Sequence, residues 1–397
     1  MMGSARDRDG FTRRDFLKRA AVSAAAAAGT ASGMASGLPA VLAATSTPST
    51  GMKYRVLGNT KLKVSELSFG TIRTGNAEVI HRGLDLGINY IDTAPAYRHG
   101  NGEVDLGNAL KGRRDRVVVA TKWETDGTLP SADLLKSLDA SLQRLNTDHV
   151  DLVQIHGADN EAQVNSDEVW EAFTTARKAG KARFSGLSTH SNQAGVIRAA
   201  IASKRYDAVL PAYNAVTGDT VAAAIAEAKK AGLGVITMKS LQPAHSGAGS
   251  DAFQNLEGNP YQQAIQWVLK DQNVSTVIVD MPTFDELEQN VAAATGKVSA
   301  AALSEFEAAV VLASAGACRL CGACTKQCPA GVQVADIMRY MLYHDGYGDR
   351  ERAVELYREL PAAATARACG ACPGCTAVCP WGLPVQARME QAHAVLA

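Results

Sequence analysis

The chain has 397 residues, and its 40 Lys and Arg residues balance its 40 Asp and Glu residues. This balance excludes a strongly basic or acidic surface, so nothing in the charge indicates a nucleic acid or an anionic membrane as a partner. No apolar run reaches the length of a membrane span. The eight cysteines all lie after residue 316, so the cysteine chemistry is concentrated at the C-terminal end.

The N-terminal segment has the order of an export signal. Arg13 and Arg14 precede an apolar, alanine-rich stretch, and small residues near position 44 offer a cleavage site. Charged, apolar and small segments in this order are typical of a secretory signal. The arginine pair resembles a twin-arginine signal, which is recognised by a dedicated translocase and directs folded proteins out of the cytoplasm. We therefore expect residues 1–44 to be removed on export; a disordered tail is the alternative.

Loss of that segment removes six Lys or Arg and three Asp or Glu residues, which leaves 34 against 37. A linker rich in Thr, Ser and Pro follows at residues 45–51. Eight short apolar runs come next, and they read LSFGT, NYIDTA, VVVATK, DLVQIH, RFSGLST, AVLPAYN, GVITMK and TVIVDM. Helical patterns such as ADLLKSLDASLQRL lie between them. This alternation predicts an α/β fold, a (β/α)8 TIM barrel over residues 52–315.

A doubly wound parallel sheet is the alternative fold. Such a sheet normally opens with a glycine-rich G-x-G-x-x-G turn after its first strand. The segment HGNGEV at residues 99–104 lacks the third glycine and follows the second strand. The barrel is therefore the favoured prediction.

Four side chains with acid–base chemistry lie at or shortly after the ends of three successive strands of the predicted barrel, where barrel enzymes place their active sites. They are Asp92, Tyr97, Lys122 and His156. An ammonium group lowers the pKa of a nearby phenol, so we expect Lys122 to make Tyr97 a better acid, with Asp92 holding the lysine. His156 is expected to orient a carbonyl oxygen. Individually, such residues often cap helices, pack in the core or remain solvated. His190, which ends strand five, is a further residue that we expect to face the pocket.

The segments GINYIDTAPAY, ATKW, DLVQIH and GLSTH resemble the motifs of the aldo/keto reductase family over roughly residues 52–300. This resemblance implies a carbonyl or alcohol substrate and a catalytic tetrad formed by Asp92, Tyr97, Lys122 and His156. More narrowly, the whole chain resembles the branch of the family that carries a C-terminal domain similar to a two-cluster ferredoxin.

The resemblance also implies a nicotinamide site, from which this sequence departs. Its cofactor-binding positions correspond to Ser188, Met238, Lys239 and Asn290. Members that bind NADP place cations around the 2′-phosphate, but Asp280 and Glu286 align there. Carboxylates repel a phosphate. We therefore expect that a nicotinamide nucleotide is possible but that NADPH is disfavoured.

The cysteines form two runs that each read C-x2-C-x2-C-x3-C-P. They are Cys318, Cys321, Cys324 and Cys328, then Cys369, Cys372, Cys375 and Cys379. This spacing is typical of two [4Fe–4S] clusters, with the fourth cysteine of each run serving the other cluster. Paired zinc sites need only C-x2-C pairs and would leave one C-x2 step unexplained. Disulfides between cysteines this close together would stabilise little of so long a chain. Because ADIMRYMLYH and RERAVELYREL between the runs look helical, a small, mainly helical ferredoxin-like domain is expected over residues 316–397.

Two functions from different classes remain open on the sequence. The first is an exported iron–sulfur oxidoreductase that acts on a carbonyl or alcohol, with electrons passing through the clusters to or from an unidentified protein. The second is an electron-transfer protein or redox-complex subunit whose barrel is a docking scaffold. Clusters transfer electrons singly whereas hydride carries two, and the sequence shows no flavin motif that would convert between them. A third and less favoured hypothesis is that the clusters have only a structural role and stabilise the C-terminal domain.

Overall fold

A computed structural model describes residues 51–245, 250–253, 256–314 and 317–397. The expected export signal and nearly all of the expected linker therefore lie outside the described residues, and the sequence-based domain boundaries stay predictions. Residues 49–397 form one compact unit. Within the described ranges, every helix is too short or too polar to cross a membrane.

Eight parallel strands close into a barrel, which confirms the predicted fold class. Each of the eight apolar runs forms one strand, because its side chains are buried on both faces as parallel strands require. The barrel strands are β3 (Leu67–Gly70), β4 (Tyr90–Asp92), β5 (Val118–Trp123), β6 (Val150–Ile155), β7 (Ala182–Thr189), β8 (Ala208–Pro211), β9 (Gly234–Thr237) and β10 (Thr276–Asp280). Consecutive strands are neighbours, and β10 pairs with β3 to complete the ring.

Helices connect or follow these strands; most pack their apolar faces on the outside of the barrel, and the last of them belongs to a smaller apolar cluster. They are α1 (Ala77–Asp85), α2 (Asn101–Ala109), α3 (Ser131–Leu145), α4 (Glu161–Asn165), α5 (Asp167–Lys178), α6 (Gln193–Ser203), α7 (Asp219–Lys230), α8 (Gln242–His245), α9 (Ser250–Phe253), α10 (Pro260–Lys270), α11 (Phe284–Thr295) and α12 (Ala300–Ser314). Short 3-10 turns occupy Gly58–Thr60, Tyr97–Gly100 and Arg114–Arg116. Side-chain caps such as Asn76 and Ser166 accept hydrogen bonds from the first-turn N–H groups and fix where these helices begin.

An antiparallel hairpin of β1 (Tyr54–Val56) and β2 (Lys63–Ser65) covers the end of the barrel where the strands begin. Its Leu57 is fully buried and lies against Gly234, where an added Cβ would come within 2.4 Å of the leucine side chain. This contact needs a glycine at the start of β9. With that end closed, the opposite end, where the strands finish, carries the candidate site.

The C-terminal region, residues 317–397, contains only helices, turns and loops, as the sequence predicted. Its helices are α13 (Val334–Met341), α14 (Arg350–Glu359) and α15 (Val385–Leu396), with a single π-helical turn at Leu342–Gly346 and 3-10 turns at Thr325–Gln327, Ala362–Ala364 and Ala366–Ala371. Ile337, Met389 and Leu396 are buried in an apolar core of its own, on which several of the cysteines pack.

Candidate active site

Three of the four predicted acid–base residues meet at the ends of β4 and β5. The Lys122 ammonium group donates hydrogen bonds to Asp92 Oδ1, to the Thr93 carbonyl at 2.8 Å and to the Tyr97 hydroxyl at 3.0 Å. The side chains of Lys122 and Asp92 are each only 1% exposed, so the pair is shielded from water. The lysine is therefore held by the carboxylate and directed at the phenol.

Gln154, which was not predicted from the sequence, also holds Asp92 in place. Its Nε2 donates to Asp92 Oδ2 at 2.9 Å, so both carboxylate oxygens of Asp92 are engaged. Gln154 lies on β6, two residues before His156, and alternation along a strand turns both positions to the same side. The alternation of side chains along DLVQIH could therefore have indicated Gln154 from the sequence.

The expected lowering of the Tyr97 pKa is wrong. Burial raises the pKa of Tyr97 well above its usual value, and the negative charges of Asp92 and Asp280 raise it further. The charge of Lys122 is already matched by Asp92, which explains why the ammonium group does not reverse the effect. Tyr97 is therefore a neutral phenol at neutral pH, a state that can donate a proton but does not act as a base.

His156 completes the predicted tetrad from the end of β6. Its ring packs edge-on to that of Tyr97, with centroids 5.7 Å apart, and its Nδ1 is hydrogen-bonded to Glu124. Burial opposes the charge of Glu124, but the pairing with His156 and the charges of Lys122 and Arg352 lower the pKa of this carboxyl. Glu124 was also missed from the sequence; it fixes the imidazole ring, so that the ring can orient a substrate oxygen.

A cavity of about 390 Å³ lies over these residues, a size suited to a small molecule. We call it the rim cavity. The barrel contributes Tyr97, His156 and His190 to its lining, and the C-terminal region contributes Arg339 and Tyr343. Both parts of the chain therefore line one site, which the sequence did not reveal.

His190 faces this cavity, as proposed from its position at the end of strand five. Burial lowers its pKa well below the usual value, and the charges of Arg339 and Lys239 lower it further. The ring is therefore neutral at neutral pH. Its buried Nδ1 has no hydrogen-bond partner within the described residues, so it is available to a ligand in the cavity.

The predicted cofactor-binding residues are divided between the cavity and its surroundings. Met238 and Lys239 line the rim cavity, whereas Ser188 and Asn290 do not belong to its lining. The Ser188 hydroxyl accepts the Gly157 N–H at 2.9 Å and donates to a backbone carbonyl of β6. Asn290 is buried within α11. The four positions therefore do not converge on one free surface.

Lys239, one of the predicted cofactor-binding residues, is engaged by the C-terminal region. Its Nζ donates to the Tyr343 hydroxyl at 2.9 Å and lies 4.3 Å from the centre of that ring. Asp280 lines the cavity nearby, and burial raises its pKa, although the charge and backbone N–H of Arg73 oppose the rise. Glu286 lies instead in the first turn of α11, where an acid favours the helix dipole.

Two smaller cavities are each surrounded by four cysteines. The first is lined by Cys318, Cys321, Cys324 and Cys379, and the second by Cys328, Cys369, Cys372 and Cys375. Each cavity thus takes three cysteines from one run and the fourth from the other, the arrangement expected for two clusters. Neither lining includes a carboxylate or an imidazole among the described residues. All eight thiols are free of disulfides, so the donor set fits two [4Fe–4S] clusters.

Hydrogen bonds between the two cysteine runs explain this exchange. Gln327, next to Cys328, accepts the Val378 N–H with its side chain at 3.0 Å and the Thr376 hydroxyl with its carbonyl at 3.0 Å. The two runs therefore cross just before their fourth cysteines. Described His, Cys, Asp and Glu side chains form no group of three arranged around a single metal ion; the thiols instead surround larger spaces.

The first of these cavities lies next to the barrel. The Asn192 N–H donates to the Cys321 carbonyl at 3.3 Å, and Gln242 Nε2 donates to the Cys318 carbonyl at 2.9 Å. Asn192 follows His190 in the loop after β7, and Gln242 begins α8, three residues after Lys239. The segments that line the rim cavity thus also contact the first cysteine cavity.

Comparisons with known proteins agree with this geometry. Residues 66–248 match the aldo/keto reductase family, and residues 317–383 match the 4Fe-4S dicluster domain. The chain is 36% identical to an uncharacterized oxidoreductase of Bacillus subtilis over 35% of this chain and 49% of that protein. It is 27% identical to an L-galactose dehydrogenase of Arabidopsis thaliana over 62% of this chain and 89% of that protein.

Among solved structures, an aldo-keto reductase from Bacillus halodurans in its holo form is similar with a TM-score of 0.57 and 25% identity. That similarity covers 65% of this chain and 96% of the other. The match to the Bacillus subtilis oxidoreductase spans about half of that relative's length. The chain therefore carries a domain that matches the aldo/keto reductase family, followed by a 4Fe-4S dicluster domain.

Proposed function

We propose that the protein is an exported iron–sulfur oxidoreductase of the aldo/keto reductase type that acts on a small carbonyl compound or its alcohol. The observation that carries this proposal is the shared rim cavity, where Tyr97 and His156 of the barrel face Tyr343 of the C-terminal region. A substrate in this cavity would contact the proton donors of the barrel and lie beside the region that holds the cysteines.

In the proposed reaction, Tyr97 donates a proton to the carbonyl oxygen in the direction of reduction. Lys122 stabilises the phenolate that remains, since its ammonium group is 3.0 Å from that oxygen. Asp92 holds the lysine in place. His156, whose Nδ1 is fixed by Glu124, borders the substrate and orients it against Tyr97. General acid catalysis of this kind typically accelerates a reaction by about 10²–10⁴-fold.

The eight cysteines are the proposed ligands of two [4Fe–4S] clusters, which when bound supply one-electron transfer. Backbone N–H groups assist at the first cysteine cavity: Leu320 N and Trp381 N lie 3.4 Å from the sulfurs of Cys318 and Cys379, respectively. Such N–H contacts stabilise negative charge on thiolate sulfur. The residues of this cavity are therefore suited to hold an electron-rich group beside the barrel.

We further propose that NADPH binds poorly and that any nicotinamide used is NADH or a molecule loaded before export. Two features support this: Asp280 and Glu286 align with positions where family members that bind NADP carry cations, and Lys239 already bonds to Tyr343. A soluble nicotinamide pool is also not expected outside the cytoplasm. Isothermal titration of the iron-loaded protein should therefore give no tight binding of NADPH; micromolar affinity for NADPH, tighter than for NADH, would show this proposal to be wrong.

An electron carrier whose barrel is a docking scaffold is the second candidate function. The replaced cofactor positions favour it, since a barrel without nicotinamide lacks its family's usual hydride source. Anaerobic absorption spectra separate the two candidates by asking which reductants bleach the clusters and which oxidants restore them. An enzyme should be reoxidised by a small carbonyl compound, whereas a carrier should be reoxidised only by its partner protein.

Export rests on the sequence alone, because residues 1–50 lie outside the described residues. We expect that replacing both Arg13 and Arg14 with lysine traps the precursor in the cytoplasm, since the arginine pair is the part of the signal that the receptor reads. Immunoblotting of cell fractions measures this, with a lysine replacement at Arg6, outside the motif, as the control. Mature protein outside the cytoplasm of a strain without the twin-arginine translocase would refute the proposal.

A further inference from the structure

Reduction of a carbonyl group to an alcohol adds two electrons and two protons. A hydride donor supplies both electrons together with one hydrogen, so the enzyme needs only one proton donor. Electrons that arrive singly through iron–sulfur clusters bring no hydrogen. If the proposed function is correct, the rim cavity must therefore supply two protons, and a second donor has to lie beside Tyr97.

We propose that Tyr343, from the C-terminal region, is this second proton-transfer residue of the rim cavity. In the balanced step, the carbonyl group takes two electrons, which a one-electron donor protein would supply. Tyr97 protonates the oxygen and Tyr343 protonates the carbon, so that the C=O π bond breaks while one O–H and one C–H bond form. Both phenolates then regain their protons from solvent.

The hydrogen bonds of Tyr343 fit this role. Its hydroxyl oxygen accepts Lys239 Nζ at 2.9 Å and Arg339 Nη1 at 3.3 Å. Arg339 is itself held by Asp336 at 2.8 Å. The phenolate that remains after proton transfer would thus face two cations, one of which is paired with Asp336, whereas the single ammonium group beside Tyr97 is paired with Asp92. Charge-assisted hydrogen bonds of this kind stabilise an oxyanion strongly.

Local structure holds Tyr343 in this position. It lies in the π-helical turn Leu342–Gly346, where the Tyr347 N–H donates to the Leu342 carbonyl five residues earlier. The extra residue of such a turn re-aims a side chain, and π turns occur frequently at functional sites. The rings of Tyr343 and Tyr347 stack with centroids 5.8 Å apart. Tyr343 is 9% exposed and lines the rim cavity.

The electrostatic surroundings favour an acid that works near neutral pH. Burial opposes ionisation of Tyr343, but Lys239 and Arg339 outweigh it and lower its pKa to about 8. The other charged or titratable groups around this cluster include Asp280 at the end of β10, Asp336 and Tyr340 on α13, Tyr347 beyond the π turn, and Tyr97 and His190 on the barrel. The phenol is therefore protonated at pH 7, and a general acid is most effective when its pKa is near the working pH.

The ionisation of Tyr343 can be tested without a substrate. We expect the ultraviolet absorbance of tyrosinate in the full, iron-loaded protein to rise in a step with a midpoint of about pH 8. The step should vanish in Tyr343→Phe and move to higher pH in Lys239→Met, which removes one cation. Tyr340→Phe is the matched control, because the pKa of Tyr340 is raised to about 12 and its loss should leave the step unchanged. A step that persists in Tyr343→Phe, or is absent from the unmodified protein, overturns the proposal.

Turnover separates this inference from the function on which it rests. The probe is isatin, a conjugated ketone whose one-electron-reduced form is stabilised, with reduced methyl viologen as the donor. We expect Tyr343→Phe to lower turnover by about 10²-fold or more, and turnover of the unmodified protein to fall above about pH 8, where Tyr343 loses its proton. If Tyr343→Phe kept full turnover while Tyr97→Phe was inactive, the role of Tyr343 would be refuted and the proposed function would stand. Full turnover in Tyr97→Phe would instead contradict the proposed function.

Discussion

Tyr97→Phe is expected to lower carbonyl turnover by about 10²–10⁴-fold while folding and iron content stay unchanged. The substitution removes only the hydroxyl that receives the Lys122 hydrogen bond at 3.0 Å. Because the ring remains, its edge-on contact with His156 is retained. The loss therefore falls on proton donation rather than on packing.

Steady-state assays with a panel of activated carbonyl compounds, alongside iron analysis and thermal unfolding, measure this effect. Tyr54→Phe is a matched control, because its hydroxyl donates one hydrogen bond to the Gly87 carbonyl, at the hairpin that covers the other end of the barrel. It should retain full turnover. If Tyr97→Phe also retained full turnover, the docking-scaffold function would become the better account.

Cys328→Ser is expected to remove the cluster that Cys369, Cys372 and Cys375 otherwise hold, and to spare the other cluster. The reason is the crossing of the two runs, which gives Cys328 to the second cysteine cavity. Iron should fall from about eight to about four atoms per chain, since each cluster contains four. Iron analysis combined with electron paramagnetic resonance of the reduced protein measures which signal is lost.

Cys379→Ser is the reciprocal variant, because this residue lines the first cavity. It should remove the other signal and spare the one that Cys328→Ser removes. Loss of the same signal in both variants would mean that the fourth cysteines do not exchange. About four iron atoms in the unmodified protein, or zinc in place of iron, would refute two clusters altogether.

The sequence was sufficient to predict the barrel because each strand is an uninterrupted apolar run of strand length. DLVQIH and VVVATK, for example, became β6 and β5 within one residue at each end. The positions of Asp92, Lys122 and Tyr97 followed from the rule that strand ends meet at one rim. Repeated cysteine spacing likewise predicted the exchange of fourth cysteines that the two cavities display.

Burial and long-range pairing could not be derived from the sequence. The pKa of Tyr97 was expected to fall because Lys122 is close, but desolvation, which depends on the folded surroundings, raises it. The contact of Lys239 with Tyr343 joins residues far apart in the chain, and the two lie in different predicted domains. A local pattern carries no signal for such a pair, so the extension of the active site into the C-terminal region became visible only in the structure.

A single-turnover experiment tests most directly whether the barrel and the clusters serve one reaction. The clusters are reduced anaerobically, excess reductant is removed, and isatin is added without any nicotinamide nucleotide. We predict that the visible absorbance of the oxidised clusters returns, that about one alcohol forms per two clusters reoxidised, and that Tyr97→Phe suppresses both changes. Clusters that stay reduced with isatin and other carbonyl compounds, yet are reoxidised by NAD⁺ or by a partner protein alone, would contradict the account.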